Sequence, residues 1–203
     1  MRPEPPDPAA AREWMRRAQY TRLLEWSREA SLLRERLAFL HAAVGEPWPD
    51  VGDAALAERQ AEWAGPEIDA FLAGRPLRPV SAEQLSRLLP WPEARDLERL
   101  APRRIGLPLG SAPVAYSDGR PRVSVRIQEV FGLQSTPDIA GIPVTFELLS
   151  PARRPLAVTD DLSGFWDGAY AQVRAEMRGR YPRHPWPADP ANAEPTRRTK
   201  RPR

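Results

Sequence analysis

The chain has no cysteine, and among its 203 residues there are one lysine and two histidines. Each scarcity excludes a class of chemistry. Without thiols there are no disulfides and no thiolate metal centres. The lone lysine, Lys200, lies between Thr199 and Arg201 near the C-terminus. No Gly-Lys-Ser/Thr segment therefore exists in which backbone amides and a lysine could cradle the phosphates of a nucleotide. His41 and His184 are far apart and each sits beside apolar residues. Neither has an evident partner that would make it a base or complete a metal site. No Gly-x-Ser-x-Gly elbow is present. The first ten residues lack the apolar core of a signal peptide, and no apolar run approaches the roughly 18 residues of a membrane span. The expectation is a cytoplasmic protein without a membrane segment, a bound metal or catalysis of its own.

What is abundant is proline, tryptophan and arginine. Twenty-five prolines against twelve glycines imply long straps and loops beside the packed part. Seven tryptophans within a 41% hydrophobic composition are enough for a core. The length fits one domain or two small ones. Charge is uneven. Residues 1–101 hold 14 bases and 17 acids, residues 102–187 hold 11 bases and 8 acids, and the final TRRTKRPR holds five bases and no acid. An anionic partner should prefer the C-terminal half and the tail.

Local signals divide the first half into short helices. Asp7-Pro8 is a helix start. Ser27 precedes Ala30, Leu33, Leu37, Leu40 and Val44 at helical spacing, with Gly45 placed to end that helix. Asp53 can open a helix reaching Trp63 that Gly65-Pro66 breaks, followed by a short helix from Pro66 to Ala73 closed by Gly74. Ser81-Ala82-Glu83-Gln84 is a capping box, and Pro92 starts a last helix that ends near Ala101-Pro102.

The period then alternates. Val114 and Tyr116, a turn at Asp118-Gly119, and Val123, Val125 and Ile127 read as a hairpin whose outer face carries Arg122, Ser124 and Arg126. Val144, Phe146 and Leu148, a turn over 150–154, then Leu156 and Val158 read as a second pair. Residues 128–142 read as loop with one helical turn near 128–131. Asp160 or Asp161 can cap a helix over 161–179 whose apolar stripe is Leu162, Trp166, Tyr170, Val173 and Met177. Adjacent aspartates also suit acid/base work. At a strand-to-helix junction, however, their side chains diverge and capping is the simpler role.

The fold class expected is α+β: a cluster of short helices, a small antiparallel sheet, one C-terminal helix, a proline-rich strap and a basic tail. The expected parts are a leader over 1–22, a helical subdomain over 23–101, the sheet, helix and strap over 102–187, and a disordered tail over 188–203. The binding candidates cluster late. Arg174, Arg178, Arg180 and Arg183 can fork phosphate oxygens, while Tyr181 and Trp186 can stack on unpaired bases or pack back on the domain. His184 lies among them. Arg197, Arg198, Lys200 and Arg201 would add salt-dependent, sequence-independent affinity. Arg153-Arg154 reads first as a solvated hairpin tip.

Several separated phrases carry a family likeness: Trp48-Pro49-Asp50, Leu88-Leu89-Pro90-Trp91, Arg99-Leu100-Ala101-Pro102, residues 126–132 (RIQEVFG), Ser150 to Pro155 (SPARRP), Phe165-Trp166, Arg178-Gly179-Arg180-Tyr181-Pro182 and Pro195-Thr196-Arg197-Arg198. In this order they resemble the C-terminal region of the HrpB-type ATP-dependent helicases, a bacterial branch of the DEAH-box family. The likeness runs from about Leu23 to Arg198. In that family the two RecA-like motor domains and the winged-helix, ratchet and OB-like domains precede this region, and the whole is thought to move on RNA or single-stranded nucleic acid using ATP. Here Asp160-Asp161-Leu162-Ser163 offers neither the Glu nor the His of a DEAH-type box. The resemblance thus implies a non-catalytic accessory extension that docks on a helicase core, in cis or in trans, or guides single-stranded RNA or DNA. ATP and magnesium would belong to that core. The alternatives are a protein-interaction module and a remnant or split product of a helicase gene.

Overall fold

The computed structural model describes Ala9 and residues 24–76 and 78–197. The helix start expected at Asp7-Pro8, together with Arg198, Lys200 and Arg201, lies outside the described residues. The chain divides into two compact units between Leu97 and Glu98.

The first unit is helical. Helix α1 (Arg28–Val44) opens on Ser27, whose hydroxyl accepts from the Ala30 amide, and ends at Gly45, where φ is 79°. That is the left-handed conformation glycine adopts without cost. Ala30, Leu33, Leu37, Phe39 and Leu40 are its buried residues, and the Nδ1 of His41 contacts the Trp48 carbonyl at 2.9 Å. Helices α2 (Asp53–Glu58) and α3 (Gln60–Leu72) follow. The expected break at Gly65-Pro66 does not occur. The chain bends instead at Arg59, and Pro66 lies inside α3. Burial decides this: Trp63, Ala64 and Ile68 are all buried and straddle the proline, so the packed face continues through it. The indole of Trp63 donates to the Leu56 carbonyl and its ring stacks on Trp26 at 5.9 Å. Helix α4 (Ala82–Ser86) starts in the expected reciprocal capping box of Ser81 and Gln84. A 3-10 turn (Glu93–Asp96) and α5 (Leu97–Leu100) lead across the division.

The second unit is built on a three-stranded sheet in the order β3 (Arg122–Arg126), β6 (Thr145–Leu149), β7 (Pro155–Thr159). The sheet is mixed, which corrects the antiparallel expectation: β3 runs parallel to β6, and only β6 and β7 are antiparallel. The hairpin expected around Asp118-Gly119 reduces to one bridge, Ala115 to Arg122. The residues before the turn pair elsewhere, in the hairpin β1 (Arg104–Leu107) and β2 (Gly110–Pro113), and β3 takes the free edge of β6. A small hairpin, β4 (Asp138–Ile139) and β5 (Ile142–Pro143), occupies the loop between them. Val123, Val125, Phe146 and Leu148 are buried, whereas Val158, expected inside, is 60% exposed on the edge strand.

The single helix expected over 161–179 is two, α6 (Leu162–Asp167) and α7 (Tyr170–Arg180), separated at Gly168-Ala169. Glycine is the weakest helix former after proline, and Gly168 takes non-helical angles here. Asp161 caps α6 through the Gly164 amide, while Asp160 turns away toward Arg120 at 3.6 Å. The adjacent carboxylates therefore have separate structural roles. Phe131, Phe165, Trp166 and Tyr170 form one aromatic cluster with ring separations from 5.2 to 6.3 Å. The Trp166 indole donates to the Leu133 carbonyl at 2.8 Å.

Residues 188–197, expected to begin a disordered tail, are pinned to the loop after β3. The Gly132 amide donates to the Pro190 carbonyl, the Thr196 amide to the Gln128 carbonyl, and Arg197 pairs with Glu129 at 2.9 Å. Gly132 has φ 86°, and a Cβ there would lie 3.2 Å from the Ala193 carbonyl oxygen. Gly132→Ala should cost about 1–2 kcal/mol. It should also speed amide exchange over residues 190–196; unchanged exchange would contradict this anchoring.

Candidate nucleic-acid interface

The polypeptide after α7 turns back along its own helix, and three side chains hold it there. The Tyr170 hydroxyl donates to the Pro187 carbonyl at 3.0 Å, and the Arg174 Nε donates to the Trp186 carbonyl at 3.0 Å. The Trp186 indole donates to the Tyr181 carbonyl at 3.1 Å. Trp186 is 7% exposed. Burial pushes the Tyr170 phenol up to about 12, against an opposing pull from Arg174. The strap is thus a brace, and two of the expected contact residues are consumed in it. Arg174 commits its Nε to the strap backbone, and Trp186 lies in the core.

What the brace fixes is the turn 181–184. Its backbone is closed by the Tyr181 amide on the Met177 carbonyl at 2.7 Å and by the His184 amide on the Tyr181 carbonyl at 3.1 Å. Arg178, Arg180 and Arg183 are exposed around it, and none makes an ion pair among the described residues. The Arg180 guanidinium lies 6.0 Å from the Tyr181 ring centre, and that ring meets the His184 imidazole edge to face at 6.1 Å. Of the expected candidates, Arg178, Arg180, Tyr181 and Arg183 are therefore brought together. Arg197 is held apart on Glu129.

One charged residue outside the expected set, Arg126, bears on His184. Burial first, and then the charge of Arg126, hold the His184 imidazole below its ordinary value. The Arg126 Nε is shielded from solvent and has no hydrogen-bond partner among the described residues. Its signal in the sequence was the strand face Arg122, Ser124, Arg126, on a strand that pairs in parallel with β6. Arg122 is neutralised by Asp118, and Ser124 donates to Glu147. Arg126 makes no ion pair among the described residues. Among the described residues no group of three or more His, Asp or Glu side chains could hold a metal ion, and no helix is long and apolar enough to cross a membrane.

These features define a small α+β domain with a rigidly backed cationic edge. The chain belongs to the ATP-dependent helicase C-terminal family, whose model matches residues 63–190. It is 44% identical over 187 residues to the ATP-dependent RNA helicase HrpB of Escherichia coli (strain K12), a match that covers 88% of this chain and 23% of that protein. A crystal structure of the E. coli DExH-box NTPase HrpB superposes with a TM-score of 0.76 at 38% identity, over 96% of this chain and 25% of that one. A second, of the Escherichia coli DEAH/RHA helicase HrpB, gives a TM-score of 0.66 at 34% identity, covering 91% and 24%. The chain spans about a quarter of the length of the relatives it matches.

Proposed function

We propose that this chain is a non-catalytic accessory domain of a cytoplasmic HrpB-type helicase, docked on the helicase core in cis or in trans, and that it guides single-stranded nucleic acid along the cationic edge after α7. The observation that carries this reading is the trio Arg178, Arg180 and Arg183, without an ion pair among the described residues and placed at the end of α7 and in the following turn, which Trp186, Tyr170 and Arg174 brace. Unneutralised guanidiniums on a preorganised backbone suit a polyanion, because little order is lost when it binds. Tyr181 supplies an aromatic ring beside them. ATP and magnesium are assigned to the helicase core. The test is fluorescence anisotropy of a labelled oligouridine RNA, about ten nucleotides long to span one single-strand binding site, with the full chain across a salt series. Binding that weakens steeply with salt is expected; no binding even at low salt would refute direct nucleic-acid contact.

A second reading, a protein-docking module, is favoured by one residue. Trp91 is 67% exposed in the first unit, flanked by Pro90 and Pro92. An exposed tryptophan is a common anchor at protein interfaces. Trp91→Ala should leave stability within about 0.5 kcal/mol of the parent. If this surface docks on a helicase core, the same change should weaken association with that core by tenfold or more, on the order of 2 kcal/mol. Pull-down titrations under nuclease treatment measure it, and equal affinities would discard this reading.

A further inference from the structure

We infer that the cavity between α3 and the segment joining α3 to α4 is the seat of an acidic, aliphatic segment of the helicase core. The inference rests on the docking part of the reading above and names the chemistry of the segment that is held.

Three observations carry it. First, the first unit holds a cavity of about 610 Å³, the size of a natural binding pocket. Leu24, Trp63, Ile68 and Val80 line it and are themselves buried, so its floor is apolar. Protein interiors pack closely and leave few voids larger than a water molecule, so an apolar recess of this size suits a partner's side chains. Second, its rim is cationic. Arg75 and Arg78 lie there, both exposed, and neither makes an ion pair among the described residues. Glu67, the one carboxylate among the described lining residues, is already matched. The Arg87 guanidinium donates to its two oxygens at 2.8 and 3.0 Å and holds its carboxyl below the ordinary range. The charge left over at the mouth is positive. Third, the rim is anchored at both ends. The Arg75 amide donates to the Ala70 carbonyl at 3.0 Å, the Val80 amide to the Glu25 carbonyl at 2.8 Å, and the Ser27 amide to the Val80 carbonyl at 2.9 Å. Each arginine also precedes a proline, Pro76 or Pro79, which biases its backbone toward extended angles. A rim fixed in this way loses little order when it binds.

These features select the occupant. Leucine or isoleucine side chains would cover the floor, and carboxylates beside them would meet the two guanidiniums, each through paired N–H bonds. Single-stranded nucleic acid fits poorly. Its bases need an open ring face, and the Trp63 ring in the lining is fully buried and stacked on Trp26. The relatives devote about a quarter of their length to this domain, so the helicase core is the partner at hand.

The test titrates the full chain with the core of E. coli HrpB, the helicase without the quarter that this chain matches, and follows the Ile68 and Val80 methyl groups by NMR. Those signals should shift and show Overhauser contacts to aliphatic groups of the core. Arg75→Glu combined with Arg78→Glu should weaken the association by roughly tenfold or more, because like charges then face each other. Arg154→Glu, an equal change of charge at an exposed position of the second unit, should leave it unaltered. Arg75→Gln with Arg78→Gln serves if the reversed pair fails to fold, and should bind several-fold less well than the parent. Association with unmoved methyls and unaltered affinity in the rim variants would overturn the seat and leave docking through another surface standing. Absence of association would remove both. Methyl shifts with oligouridine RNA and none with the core would overturn the seat in favour of nucleic acid. Overhauser contacts from these methyls to residues 1–22 in the free chain would give the cavity to the chain's own leader and overturn it as well.

Discussion

Replacing Trp186 by alanine should destabilise the second unit by about 3–5 kcal/mol, the range for deleting a buried aromatic side chain. The ring is 7% exposed, and its N–H closes the turn by donating to the Tyr181 carbonyl. Truncation removes both the packing and the donor. Because domains are stable by only about 5–15 kcal/mol, this is a large share. RNA affinity should fall as well, since the turn carrying Arg180 and Arg183 loses its backing. Trp186→Phe separates the two contributions: it keeps most of the buried area but removes one of the two donors to the Tyr181 carbonyl, which retains the His184 amide, at about 0.5–1.5 kcal/mol. Urea denaturation followed by circular dichroism reads both. A base-stacking role for Trp186 makes the opposite prediction, lost affinity with unchanged stability, and that outcome would refute the brace.

The second large effect is in binding. Changing Arg178, Arg180 and Arg183 together to glutamate should lower affinity for single-stranded RNA by at least about tenfold at low ionic strength. The salt slope should flatten by about 2, because each single-strand phosphate that an arginine neutralises contributes roughly 0.7 to it. Stability should change little by comparison. Arg178 and Arg180 lie in the last turn of α7, where positive charge favours the helix end by about 0.3–1 kcal/mol each. The matched alanine triple variant separates weakened attraction from added repulsion. If affinity and slope both survive reversal, the cationic edge is not the interface.

The parts of this fold that were legible in the sequence are those decided within one turn of chain. Ser27, Ser81 with Gln84, and Asp161 are caps whose acceptors and donors lie three residues apart, and each acts as its spacing implies. Of the stripe Leu162, Trp166, Tyr170, Val173 and Met177, all but the half-buried Val173 are buried, even though Gly168 divides the helix. What was not legible depends on partners far along the chain. Alternation at Val123 and Val125 signals a strand but not its neighbour, so the parallel pairing with Phe146 and Leu148 could not be read. Pro66 shows the same limit, since burial of Trp63 and Ile68 overrides its local preference. In the candidate site the arginine track was visible as composition. Its supports were hidden, because backbone carbonyls accept from Tyr170, Arg174 and Trp186 and leave no trace in the residue types.

The parallel pairing of β3 with β6 also sets the order in which the second unit can fold. No adjacent segment gives β3 a ladder, so it must wait for residues 145–149, and Gly132 and Gln128 wait for Pro190 and Thr196. Pairings so distant in sequence close slowly, because loop entropy must be overcome before they contribute. During synthesis this unit can therefore complete itself only once the segment 190–196 has emerged. A chain cut short before residue 190 would leave the loop at Gln128 and Gly132 without these partners.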